Sequence, residues 1–167
     1  MKLLLTALLA LFFLGCSHNY APLKTVDKVD VNAYLGTWYE IARYEHFFEK
    51  GCSNVSATYT LTQDNKIDVL NSCEKEGELT NAKGIAYATD ESYSKLKVSF
   101  FRPFYGDYQI LLLGDKYEYA VIGEPSREYF WILSREKTLD KKTLSMILEK
   151  MPALGYDASQ LIWTPQN

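Results

Sequence analysis

The chain is poor in the residues that metal and phosphate chemistry require. It has two histidines, His18 and His46, and neither stands at a spacing that would hold a metal ion. Its 18 Lys and Arg are outnumbered by 21 Asp and Glu, giving a net charge of -3. With no basic patch, a nucleic-acid partner is not expected. No Gly-x-Ser-x-Gly elbow occurs, no heptad, no internal repeat and no low-complexity block. No metal or cofactor is called for. Cysteines number only three. At 167 residues the chain can build one domain with a real core but hardly two. Tyrosine is the plentiful residue, with 13 copies. It suits surfaces that are apolar in body and polar at one tip.

There is one long apolar run, and it is N-terminal. Leu3 to Leu14 is broken only by Thr6. It is too short for a membrane span of about 20 residues but fits a signal-peptide core of about 7–15. The run ends Phe13-Leu14-Gly15-Cys16-Ser17, which resembles the bacterial lipobox, with Phe13 where leucine is usual. Residues 1–15 therefore read as a lipoprotein signal peptide and Cys16 as the acylated residue. Residues 16–28 read as a lipidated tether, and 29–167 as the folded domain. Two or three acyl chains give stable anchoring where one does not. By resemblance to bacterial sorting signals, Ser17 rather than Asp after the cysteine implies the outer membrane.

Setting Cys16 aside leaves Cys52 and Cys73, an even pair that reads as a disulfide in an oxidising compartment. Two free thiols are the alternative. Strict strand alternation places the pair on opposite parities, so a bridge requires a bulge or an irregular strand start.

From residue 36 the chain reads as strands. Val55, Ala57, Tyr59 and Leu61 alternate with Asn54, Ser56, Thr58 and Thr60, the pattern of a half-buried strand. Further strands are expected at 36–43, 67–71, 84–89, 96–101, 108–113, 119–122 and 129–134, separated by turn residues. This spacing predicts an all-β fold, a sandwich or a closed barrel of eight antiparallel strands. One late helix is expected, capped by Asp140, with Leu144, Ile147, Leu148 and Met151 as an apolar stripe that packs it outside the barrel.

Gly36-Thr-Trp-Tyr-Glu-Ile-Ala-Arg43 resembles the first signature of the lipocalins, and Arg135 after Trp131-Ile-Leu-Ser134 resembles their last. The middle signature is degraded to Gly114-Asp115-Lys116. Together with Val98-Ser-Phe-Phe-Arg-Pro-Phe-Tyr-Gly106, these motifs are similar to those of the bacterial outer-membrane lipocalins, close to apolipoprotein D. The resemblance implies an eight-stranded up-and-down β-barrel and a carrier of fatty acid or lysophospholipid serving membrane maintenance. It also implies a structural plug at the closed end, made by Gly36, Trp38 and Arg135. Homodimerisation is left open, since no interface stripe argues for it.

If Trp38 points inward, so should Glu40, Ala42 and Tyr44 above it; if Arg135 does, so should Leu133, Trp131 and Tyr129. Glu40, Tyr129 and Trp131, with Val55, Ala57, Tyr59, Val69, Val98, Phe100, Gln109, Leu111 and Tyr119 from the other strands, give the candidate ligand-lining set. Glu40 is the odd member, because a buried carboxylate needs a partner. It serves either as a structural hydrogen-bonding group or as a contact for a ligand headgroup. Phe47 and Phe48, after the first strand, form either an apolar lip or a lid. Two rival readings stand: a filled barrel with a purely structural role, and a lipid-modifying enzyme on the same barrel. The second lacks an activated nucleophile.

Overall fold

A computed structural model describes residues 20–167. The expected signal peptide and Cys16, the expected acylation site, lie outside the described residues.

The order of elements is α1 (Val31–Tyr34), β1 (Gly36–Arg43), β2 (Ser53–Leu61), β3 (Ile67–Lys75), β4 (Glu78–Ala88), β5 (Lys95–Phe101), β6 (Phe104–Leu113), β7 (Tyr119–Gly123), β8 (Phe130–Ser134), α2 (Lys141–Lys150) and β9 (Ile162–Trp163). Each strand pairs antiparallel with the next, and β1 pairs with both β2 and β8, which closes an eight-stranded up-and-down barrel. A ninth strand, β9, adds to the upper half of β1 through Ala42 and Arg43.

The two ends of the barrel differ. The base carries α1 and the β2–β3, β4–β5 and β6–β7 turns. The open end carries the β1–β2, β3–β4, β5–β6 and β7–β8 connections. Strands β3 and β4 run longer than expected, because Glu76 and Gly77 adopt φ of 54° and 81°, the left-handed pair that a tight hairpin turn requires. Residues 78–83 are exposed on both faces, so no apolar alternation marked them as strand.

Two cores lie on opposite sides of the barrel wall. One fills the lower barrel and includes Trp38, Tyr59, Val69, Ile110, Ile122 and Leu133. The other lies outside, where Ile147 of α2 and Met151 at its C-terminal cap pack on Leu111, Val121, Phe130 and Ile132. The helix begins as its sequence demands: the Asp140 carboxylate accepts from the backbone N–H groups of Lys142 and Thr143.

Wall residues 110–113 and 119–122 are therefore apolar on both faces, and alternation cannot say which face is inside. Leu111 and Tyr119, expected inward, belong to the outer cluster under the helix; Ile110, Ala120 and Ile122 fill the interior instead. Gln109 lies between the inward Tyr108 and Ile110 and so faces outward. A bulge in β1 between Glu40 and Ala42 changes parity there. Ala42 and Tyr44 consequently join the outer cluster, and Arg43 turns inward opposite Trp131.

Cys52 and Cys73 form a disulfide with Cα atoms 5.5 Å apart. The parity problem is resolved at the start of β2, where the register shifts between Ser53 and Ser56 and Asn54 takes φ 49°.

Candidate functional site

The base is sealed by side chains. Trp38 is fully buried, and the Arg135 guanidinium lies 3.8 Å from its ring centroid. Arg135 also donates to the carbonyls of Thr37 at 2.9 Å, Ala33 at 2.7 Å and Tyr34 at 3.1 Å, which ties α1 across the barrel floor. Gly36 has φ 91°, a conformation that favours glycine, and stands against the same guanidinium. Above the floor, the Tyr34 and Tyr59 hydroxyls both bond to that of Tyr108, at 2.7 and 3.1 Å. Burial raises all three phenols above their ordinary range, Tyr59 to about 12. The triad is a neutral hydrogen-bonded plug. Of the three, sequence reading set only Tyr59 inward, as a lining residue: Tyr34 lies before the first strand, and Tyr108 was passed over for its neighbour Gln109.

The upper half is lined differently. On β4, Ala82, Gly84 and Ala86 pair with Asn71, Val69 and Ile67 of β3, so the inner wall there is made of small residues. Ala57, Asn71, Gly84, Val98 and Trp131 are only partly buried, whereas the inner residues below them are nearly inaccessible. The interior is therefore solid in the lower half of the barrel and partly accessible above it. Phe100 leans on Gly84, where an added Cβ would come within 2.8 Å of its ring. Across the barrel from β4, Trp131 of β8 and Tyr129 just before it stack with centroids 6.0 Å apart. Asn71 presents a buried Oδ1 with no protein partner. Val55 is buried but joins neither apolar core.

A buried polar cluster closes one side of the mouth. Arg43 donates to Glu40 Oε1 at 2.8 Å, to Thr164 Oγ1 at 3.1 Å and to the Glu49 carbonyl at 2.8 Å. The Thr164 hydroxyl donates to Glu40. Trp131 Nε1 donates to Glu49 Oε2 at 3.3 Å, and His46 Nε2 stands 3.5 Å from the same oxygen. Burial raises the Glu40 carboxyl, against the pull of Thr164 and Arg43. Burial, then the Glu40 charge, push Glu49 up to about 7. Burial, then the Arg43 charge, bring His46 down to about 4. His46 and Glu49 thus face each other uncharged between about pH 4 and 7. The sequence showed Glu40 as an inward carboxylate but not its partners, because Arg43 arrives through the bulge and Thr164 lies 124 positions away.

The loop carrying His46 is both lip and lid. Phe48 folds back and stacks on His46 at 4.9 Å and on Tyr129 at 6.3 Å. Phe47 is 88% exposed.

A cleft of about 880 Å³ also lies outside the barrel, between the N-terminal segment and the chain after α2. Its polar walls are spent on internal bonds: Tyr44 Oη donates to the Asp157 carbonyl, and Arg127 donates to the carbonyls of Leu154 and Pro125.

The family profile of the lipocalin-like domain matches residues 29–166. The chain is 39% identical to the outer membrane lipoprotein Blc of Vibrio cholerae over 100% of both chains. It is 40% identical to the outer membrane lipoprotein Blc of Citrobacter freundii, over 94% of this chain and 92% of that one. The fold is similar to that of insecticyanin from the tobacco hornworm Manduca sexta, with a TM-score of 0.72, 24% identity, and coverage of 87% and 86% of the two chains.

Proposed function

The chain belongs to the lipocalin family, and on that premise we propose that it binds one single-chain lipid, a fatty acid or lysophospholipid, in the upper half of its barrel. It does so while anchored to the bacterial outer membrane through acyl groups on Cys16, and it serves to hold or carry lipid for membrane maintenance. The observation that carries this reading is the division of the interior. With the base sealed and the inner residues above it partly accessible, the proposed pocket has one mouth, walled by small residues on one side and by aromatic rings on the other. Such a pocket accepts an acyl chain end-on and leaves its headgroup at the mouth.

The proposed lining is Ala57, Val98 and Phe100 with Trp131 and Tyr129. Tyr59 and Val69 set the pocket floor, and Val55 and Glu40 back the wall near the C-terminal segment. Asn71 joins the set as an unpaired acceptor. Glu40 acts through Arg43: it holds the guanidinium in place, and the guanidinium, not the carboxylate, is the group suited to an anionic headgroup. Nothing among the described residues makes an activated nucleophile, since neither ring nitrogen of His46 has a hydrogen-bond partner. Binding, not catalysis, is the reading.

Native mass spectrometry of residues 17–167 after incubation with oleate or lysophosphatidylcholine tests it. A one-to-one adduct is expected, reduced in Trp131→Ala and abolished in Ala57→Trp, which fills the pocket. Failure of the folded protein to retain either lipid would favour a filled barrel with a structural role.

A further inference from the structure

The N-terminal segment enters the fold at the open end of the barrel. The Arg127 guanidinium lies 4.9 Å from the centre of the Tyr20 ring, and its Nη2 donates to the Ala21 carbonyl at 2.6 Å. Arg127 belongs to the β7–β8 loop, one of the four connections at that end. From there the segment descends the outer wall. Leu23 packs into the outer core, the Val26 N–H donates to the Ile110 carbonyl, and the Val29 N–H donates to the Ser92 carbonyl in a basal turn. Cys16 is four residues before Tyr20, so a fully extended chain places it within about 14 Å of the open end. The base lies a strand length further away, roughly 25 Å along the barrel axis.

The same end carries the four most exposed large apolar side chains among the described residues. Phe47 is 88% exposed, Phe101 76%, Phe104 70% and Leu79 67%. They come from three separate connections, β1–β2, β5–β6 and β3–β4. Phe101 and Phe104 stack on each other across their turn at 6.2 Å. Among the described residues, the three basal turns expose no large hydrophobic side chain. This asymmetry is not what a barrel standing free in water needs, and exposed apolar clusters of this kind mark contact surfaces. The charges beside the rings are mixed in sign: Lys50, Lys75 and Arg102 against Glu45, Glu76 and Glu78. The rim therefore has no electrostatic preference for anionic lipid.

We propose that the open end is a membrane-docking surface. The rings of Phe47, Phe101 and Phe104, with Leu79, insert into the interfacial layer of the phospholipid bilayer that holds the anchor. The barrel stands mouth-down on the membrane, and a lipid chain passes from bilayer to pocket without crossing water. The insertion is apolar, so it neither requires anionic lipid nor weakens with salt. The proposal rests on the reading of Cys16 as acylated.

The test uses the full lipoprotein, processed in bacterial cells and reconstituted into phosphatidylcholine vesicles containing nitroxide-labelled lipid. Single tryptophans are introduced at the rim (Phe47→Trp, Phe101→Trp, Phe104→Trp) and at the base (Glu91→Trp, Lys116→Trp), all at exposed positions. The added emission of the rim variants should fall by about half or more, and that of the basal variants should not change. High salt should leave the rim quenching intact. An acylated protein whose rim and basal tryptophans are quenched alike, or whose rim quenching vanishes in salt, overturns the docking proposal and leaves the anchor reading standing. A protein whose intact mass shows no acyl groups overturns the anchor reading and the orientation with it.

Discussion

At the scale of single residues, the buried pair at the mouth makes a pH signature. Glu49 keeps its proton up to about pH 7 in the fold, against an ordinary value of 4.5, so its contribution to stability is lost as pH rises through that window. His46 stays uncharged down to about pH 4, against an ordinary 6.5, so its contribution is lost as pH falls through that window. Between about 4.5 and 6.5 the two slopes oppose each other. Glu49→Gln should leave the histidine slope, and urea midpoints should then fall on acidification from pH 6.5 toward 4. His46→Gln should leave the glutamate slope, with midpoints falling as pH rises from 4.5 to 7. Glu40, also raised by burial, titrates in the same direction as Glu49 in both variants, while Arg43, Tyr129 and Trp131 face the pair unchanged. Two variants with the same profile as the parent would refute the pairing. The Arg135 plug is a second residue-scale test. Arg135→Ala removes a ring contact and several charge-assisted bonds to carbonyls, and it should cost about 3 kcal/mol in urea unfolding. Arg135→Lys should recover part of this, because an ammonium cannot reproduce the fork.

At the scale of elements, the helix and the barrel mouth have separate duties. Ile147 is fully buried in the outer core, and Ile147→Ala should cost about 2–5 kcal/mol while leaving lipid stoichiometry at one. An equal loss of lipid binding would mean that the outer core shapes the pocket. The disulfide ties the mouth loop to the β3–β4 hairpin across a sequence separation of 21. Cys52→Ala with Cys73→Ala should therefore lower stability by about 3 kcal/mol, read from thermal unfolding with and without reductant. The elements legible in sequence were those with one wet face. From Val55 to Leu61 β2 alternates cleanly, and α2 carries its stripe and its Asp140 cap. The β3–β4 hairpin beyond residue 71 was not legible because both its faces meet water. Strands β6 and β7 were legible as strands but not in orientation, because both their faces are dry.

At the scale of the whole molecule, two cores share one wall. The interior core and the outer core meet through β1, β6, β7 and β8, and the C-terminal segment crosses between them, with Gln166 donating to the carbonyls of Glu40 and Val55 at 2.8 Å each. They should unfold as one cooperative unit. Far-ultraviolet circular dichroism, which sees α2, and near-ultraviolet dichroism, which sees Trp38, should give coincident urea transitions. An earlier helix transition would show that the outer core is a separate unit.

The sequence by itself determined eight antiparallel strands and an external helix, because these follow from periodicity and capping, while the barrel and the meeting of Trp38 with Arg135 were legible through the resemblance of its motifs to those of the lipocalins. It also marked Cys52 and Cys73 as a pair. Only the tertiary structure decided which side chains face the interior at Leu111 and Tyr119, since a wall buried on both sides carries no polar face to read. Only the β1 bulge decided that Arg43 turns inward where Ala42 was expected, and a one-residue register change leaves no mark in composition. Only closure of the barrel brought Thr164 to Glu40 and set Phe47, Leu79, Phe101 and Phe104 at one end, because those neighbours are made by strand pairing across the sheet and not by proximity along the chain.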